Sequence, residues 1–114
     1  MGGTNYGKYH SKKLDTPDGK FDSKKEYQEW LKLKALEKQG LITDLERQVG
    51  YVLIPAQYNE KGKLIEYPCS YVADFVYKNQ GIEIVEDVKG FKTPEYVIKR
   101  KLMLKVHGIR ITEV

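Results

Sequence analysis

The sequence predicts a mixed α/β domain in the order helix, three strands, helix, strand, and three observations carry that expectation. Ser23 and Glu26 form a capping box that opens a helical run ending at Gly40. Between Leu45 and Gly90, apolar residues recur at every second position and are punctuated by turn residues, the signature of an antiparallel meander. Thr93-Pro94-Glu95 then supplies an N-cap, a proline at the first helical position and an acid in the first turn, so a second helix follows the meander. A last short strand after that helix has to return beside an existing strand, in parallel. The expected architecture is a mixed four-stranded sheet flanked by two helices.

At 114 residues the chain holds one core and no second domain. We divide it into a basic N-terminal arm over 1–20, partly disordered, and a single domain over 21–114. Gly2-Gly3 and few aliphatic residues leave the arm too little apolar surface to offset the entropy of ordering. With 40% apolar and 32% charged residues and no long apolar run, the chain is expected to be cytoplasmic, with no membrane span. A single cysteine, Cys69, excludes an internal disulfide, and His10 and His107 are too far apart to make a zinc site with it. The net charge of +4 is compatible with a polyanionic partner without requiring one, and its lysines gather at Lys8–Lys13, Lys20–Lys25 and Lys99-Arg100-Lys101.

In chain order, Thr16-Pro17-Asp18-Gly19 is a turn that closes a small hairpin between Lys12-Lys13-Leu14 and Lys20-Phe21, holding Tyr9, His10, Lys12 and Lys13 against the body. The first helix places Tyr27, Trp30, Leu31, Leu33 and Ala35 on an apolar arc, with Glu26 inside it. Leu41–Asp44 is a connector. Leu45–Ile54 is a strand with Arg47, Val49, Tyr51 and Leu53 on one face and Gln48, Val52 and Ile54 on the other. After a turn at Asn59–Lys63, Leu64–Tyr67 begins a second strand that Pro68 interrupts and Ser70–Tyr77 continues. Lys78-Asn79-Gln80-Gly81 turns into the third strand, Ile82–Gly90. The second helix runs to Val106 or His107, with Gly108 as its stop, Val97, Ile98, Leu102, Met103 and Leu104 as its apolar face, and Lys99, Arg100 and Lys101 as an exposed basic band. Ile109–Thr112 is the last strand.

The chemistry concentrates on the third strand. Counting by twos puts Glu83, Val85, Asp87 and Lys89 on one face and Ile82, Ile84, Glu86 and Val88 on the other. Carboxylates are depleted in strands, and two adjacent acids in an Ile-Ile-Val-Val setting need a compensating reason. If Asp74 faces the same side as Asp87 and Lys89, two carboxylates and an ammonium converge at the end of the sheet, a donor set suited to a hard cation and a phosphate. Asp74 and Asp87 are then the expected ligands of Mg²⁺, or of Mn²⁺ in its place, with the Val88 carbonyl. Lys89 stands over the phosphate or the attacking water. Glu26 is either a helix cap alone or a further acid of this site.

The order of elements, with Asp74 and Asp87-x-Lys89 so placed, resembles the PD-(D/E)XK superfamily of restriction-endonuclease-like nucleases. The stretches Tyr9–Lys13, Phe21–Glu26, Tyr71–Phe75 and Val85–Thr93 are similar to a family of small phage and prophage proteins of unknown function. The resemblance implies a restriction-endonuclease-like αβββαβ core and a Mg²⁺-dependent nuclease with Asp74, Asp87, Lys89 and Glu26 in its active site. Ala73 stands where the superfamily's name has proline, a departure that lowers the specificity of the match. Gln48, Lys99 and Arg100 match weaker positions of the pattern. No recognition domain is attached, so structure-selective cutting of branched DNA is expected, in the manner of a Holliday-junction resolvase in phage recombination or replication. Two strands to cut call for a homodimer. Lys12, Lys13, Lys24, Lys92, Lys99 and Arg100 are the expected DNA contacts, with Tyr6, Tyr9, Tyr58 and Tyr67 available to stack on unpaired bases. The alternative is an inactive nucleic-acid-binding or interaction module on the same fold.

Overall fold

Two hydrophobic clusters on opposite sides of one twisted sheet organise the chain. The structure is a computed structural model and describes residues 13–114. A hairpin of β1 (Leu14–Thr16) and β2 (Gly19–Phe21) turns through Pro17-Asp18 and delivers Phe21 into the core. Helix α1 (Lys24–Lys38) follows, with the Ser23 hydroxyl accepting from Glu26 N. Gly40 adopts φ 79° and ends the helix, the left-handed geometry that glycine takes without penalty. Of the expected apolar arc, Leu33 is buried and Tyr27 and Trp30 are partly so, whereas Leu31 and Ala35 are exposed and Leu36 takes a place inside. The buried stripe is therefore narrower than the sequence suggests.

Strand β3 (Thr43–Ile54) begins two residues earlier than expected. The chain then leaves the main sheet for a separate two-stranded hairpin, β4 (Gln57–Tyr58) and β5 (Leu64–Glu66), before β6 (Cys69–Asn79) and β7 (Ile82–Asp87) complete the meander. Leu64–Glu66 thus does not belong to the second main strand. It pairs with Gln57–Tyr58, and Pro68 marks the return to the sheet rather than a bulge within it. The turn between β6 and β7 is tight, with Gln80 at φ 53° and Gly81 at φ 79°, a conformation matched to strand twist.

Helix α2 (Pro94–Leu102) is capped by the Thr93 hydroxyl. Its last turns widen into a π-helical segment, Met103–His107, which Gly108 stops at φ 67°. Tyr96 and Met103 carry its buried face, while Ile98 and Leu104 of the expected apolar face are exposed. The widened turns shift Leu104 off the regular 100° spacing, whereas Ile98, in the regular part, lies about 200° round the helix from the buried Tyr96. Strand β8 is only Thr112–Glu113, and it pairs in parallel with β7, as expected of a strand returning after a helix.

The main sheet has the order β3-β6-β7-β8 and is mixed, with α1 against one side and α2 against the other. Phe21, Leu33, Ile42, Phe75 and Tyr77 form the α1 cluster, and Leu53, Tyr71, Ala73, Val85, Tyr96, Met103 and Ile111 the α2 cluster. Phe75 and Tyr77 share sequence parity with Tyr71 and Ala73 yet pack on the other side. The same exchange occurs on β3, where Leu45 packs with the α1 cluster and Tyr51 and Leu53 with the α2 cluster. The change of side falls at Gln48, which has φ 52° and stands between the pairs Arg47↔Phe75 and Val49↔Ala73, across from Asp74. Simple alternation along β3 therefore does not hold, and Arg47 stacks over Phe21 at 3.6 Å instead of joining Tyr51 and Leu53.

Candidate active site

The acids gather at Asp74, where the parity of β3 and β6 changes side. Continuing the register from Phe75↔Glu86 by one residue places Asp74 across from Asp87. The Val88 amide donates to Asp74 Oδ2 at 2.8 Å. Asp87 is 3% exposed, with Tyr71 donating to its Oδ2 at 2.5 Å and the Lys89 ammonium 3.1 Å from its Oδ1. The predicted convergence of Asp87 and Lys89 on one face is thus observed, and Asp74 joins them.

Glu26 reaches the same place from α1. It is 2% exposed, accepts from Asp22 N at 2.8 Å through Oε1, and lies 3.4 Å from Gln48 Nε2 through Oε2. Glu26 thus belongs to the helix cap and also lines a pocket with Asp74 and Asp87. Asp22, Ser23, Glu26, Asp74, Asp87 and Lys89 line one pocket of about 180 Å³, which Val72 and Val88 complete. A larger cleft of about 330 Å³ adjoins it along β6 and the start of α2, bounded by Ser70, Tyr71, Val72, Lys89, Tyr96 and Lys99.

Crowding of buried carboxylates raises their proton affinity. Burial, reinforced by the neighbouring Glu26, lifts Asp74 to about 6 against the pull of the Val88 amide. Burial also raises Asp87, opposed by the Tyr71 hydrogen bond and by Lys89 and reinforced by the charge of Asp74. The Tyr71 hydroxyl is raised in turn, by its burial and by the acceptor it serves. A divalent cation would relieve this repulsion, and hard carboxylate oxygens are the donors that Mg²⁺ takes. Among the described residues no group of three or more acid, histidine or cysteine side chains is placed to hold a metal ion together. Asp74 and Asp87 alone could supply two oxygens to such an ion, with water completing its shell.

The cations expected to meet DNA divide. Lys13 pairs with Asp22, Lys99 with Glu95 at 3.0 Å, and Lys92 and Arg100 both with Glu113 at 3.0 and 3.1 Å. The Tyr96 hydroxyl and Lys92 hold Glu113 down at about 2, so this acid stays charged. Exposed pairs of this kind are weak and can exchange for phosphate. Lys24 is exposed at the start of α1, and Lys12, Tyr6, Tyr9 and His10 lie outside the described residues.

Several residues near the acids escaped sequence reasoning. Tyr71 binds Asp87, Lys89 lies 4.2 Å over the Tyr96 ring, and Lys25 reaches the Lys89 carbonyl at 3.4 Å. Alternation along β6 assigns Tyr71 to the side of Phe75, so only the break in parity could have exposed its role. Arg110 joins Arg100 and Lys101 around a separate cleft of about 380 Å³. Among the described residues no helix is long and apolar enough to cross a membrane.

A family model described as "Protein of unknown function (DUF1064)" matches residues 6–113. No curated protein and no solved structure matches the chain.

Proposed function

We propose that this chain, which belongs to the family described as a protein of unknown function (DUF1064), is a divalent-cation-dependent DNA endonuclease on a restriction-endonuclease-like core. One observation carries the reading: Glu26, Asp74, Asp87 and Lys89 share a single pocket at the change of parity. The adjoining cleft is lined by Lys89 and Lys99 as well as by Asp87 and Glu95, so it offers two ammonium groups to a backbone phosphate once Lys99 exchanges its partner Glu95 for it.

Asp74 and Asp87, with the Val88 carbonyl and Glu26 directly or through water, would hold Mg²⁺, and Mn²⁺ would substitute. When bound, such an ion polarises the scissile phosphate and lowers the pKa of a water. Lys89 is held between Asp87 and the Tyr96 ring, and from there its ammonium would offset charge growing on a phosphate bound beside Asp87. Tyr71 orients the Asp87 carboxylate from behind. Gln48 does the same for Glu26 from the strand edge.

Branched DNA, such as a four-way junction in phage recombination or replication, is the proposed substrate, and a homodimer is the proposed form, one site for each strand to be cut. The test is cleavage of end-labelled four-way junction, flap, single-stranded and linear duplex DNA with Mg²⁺ or Mn²⁺, beside Asp87→Ala. Cutting by the wild type and none by the variant is expected. Failure to cut any substrate, or equal cutting by both proteins, overturns the nuclease reading. Cutting of linear duplex alone overturns only the preference for branches.

A further inference from the structure

We infer that Glu113 is a positioning residue for Lys89, acting through the Tyr96 hydroxyl; the inference rests on the nuclease reading and adds to its site a residue from β8. Lys89 lies beyond the end of β7, and its backbone is tied down from the side of β8. Val114 N donates to the Asp87 carbonyl at 3.0 Å, and Lys89 N donates to the Val114 carbonyl at 3.1 Å. Those bonds bracket Asp87-Val88-Lys89 but leave the long lysine side chain free to turn. Its ammonium is placed by Asp87 Oδ1 at 3.1 Å and by the Tyr96 ring, whose centroid is 4.2 Å away.

The ring is held in its turn. Tyr96 is buried in the first turn of α2, where its amide donates to the Thr93 hydroxyl at 3.1 Å. Its own hydroxyl donates to Glu113 Oε2 at 2.6 Å. Lys92 stands 3.0 Å from Glu113 Oε1 and Arg100 3.1 Å from Oε2, so three donors converge on one carboxylate and keep it charged. Burial and the bond to Glu113 push the Tyr96 hydroxyl up, so it keeps its proton and stays the donor. Exchange of Lys92 or Arg100 for a DNA phosphate leaves the tyrosine bond in place.

Ion pairing alone would account for Lys92 and Arg100, but not for the tyrosine set between Glu113 and Lys89. A phenol that donates to a carboxylate passes electron density back into its ring, and a more negative ring face holds an ammonium more strongly. The hold matters because Lys89 borders both the acid pocket and the adjoining cleft. Both oxygens of Asp87 are already engaged, Oδ1 by Lys89 and Oδ2 by Tyr71. Positive charge arriving at Asp87 repels the ammonium, and the Tyr96 ring is then the contact that keeps Lys89 beside the pocket. Without Glu113 that ring face weakens, and the lysine is left with Asp87 alone.

The experiment uses full-chain Glu113→Ala, Glu113→Gln, Tyr96→Phe and the double variant Glu113→Ala with Tyr96→Phe, each checked for folding by circular dichroism. It reads the Lys89 ε-methylene resonance in ¹³C-lysine-labelled protein, assigned with Lys89→Met, and kcat and KM on the DNA that the wild type cuts with Mg²⁺. A side chain lying over a ring face has that resonance shifted upfield, as expected of the wild type. Glu113→Ala should lose the shift and at least about 10-fold in kcat, with KM near wild type. Glu113→Gln keeps an acceptor oxygen and should recover most of both. The double variant should be no worse than Tyr96→Phe alone. An unshifted resonance in the wild type, or a shift retained in folded Glu113→Ala, overturns the inference. So does a double variant that shows the full product of the two single losses, because Glu113 then acts without the hydroxyl. Where Glu113→Ala fails to fold, Tyr96→Phe, which keeps the ring and β8, decides by the same readings. A wild type that cuts no DNA overturns the nuclease reading, and the resonance alone then decides whether Glu113 places Lys89.

Discussion

Glu86 and Asp87 are neighbours in sequence, both are almost fully buried, and they serve opposite sides of the sheet. Each accepts from a tyrosine, Tyr77 for Glu86 and Tyr71 for Asp87. Each has a second carboxyl close by, Glu29 for Glu86 and Asp74 for Asp87. Burial and the Glu29 neighbour raise Glu86 to about 7, as burial and Glu26 raise Asp74. What separates the two is access: Asp87 faces a pocket with a lysine 3.1 Å away, whereas Glu86 lies beneath α1 with its Oε1 unpartnered. A perturbed carboxyl marks a site only when a reactant can reach it and a cation completes it.

The largest effect expected is therefore a split between adjacent residues. Asp87→Asn should lower the Mg²⁺-dependent cleavage rate by about 100-fold or more, whereas Glu86→Gln should leave it near wild type. Rates on labelled junction DNA check this, and equal losses would erase the distinction between the two faces. Lys89→Met should come next, with a loss of about 100-fold in rate and little change in Mn²⁺ affinity, since the lysine acts on the phosphate. Isothermal titration of Mn²⁺ beside the rate measurement separates those quantities.

The pH dependence of stability divides the same two faces. Asp74 and Glu86 have folded pKa values of about 6 and about 7, above the ordinary 3.8 and 4.5. The folded state then binds more protons than the unfolded state between those limits, so metal-free stability falls as pH rises from about 4 to about 7. Asp74→Asn should flatten the lower part of the fall and Glu86→Gln the upper part, each by about 5 °C in Tm by calorimetry. Added Mg²⁺ should restore stability only on the Asp74 side. The smallest effect expected is that of the supporting tyrosines: Tyr71→Phe should weaken Mn²⁺ binding by about 10-fold, and Tyr77→Phe should not change it.

Parity along β7 was legible in the sequence because that strand is regular, and it placed Asp87 with Lys89 and Glu86 opposite. Parity along β3 and β6 was not, because a left-handed Gln48 cannot be read from alternation, and Tyr71 was hidden with it. Leu64–Tyr67 reads as the start of the second strand because its apolar run resembles a core strand, whereas Leu64–Glu66 pairs with Gln57–Tyr58 outside the main sheet, a pairing that alternation alone does not distinguish. Of the basic band on α2, Lys101 is exposed as expected and Lys99 and Arg100 are half-buried: Lys99 pairs locally with Glu95, but Arg100 meets Glu113 from the far end of the chain, a pairing no local pattern contains. On the second helix the π-helical turns displace only the C-terminal part of the expected apolar face, at Leu104.

Manganese binding tests the central claim most directly, because it needs no choice of DNA. Electron paramagnetic resonance of Mn²⁺ titrated into the wild type, Glu86→Gln and Asp87→Asn should show one set of bound ions in the first two and none in the third. Equal binding by Asp87→Asn, or no binding by the wild type, would contradict it.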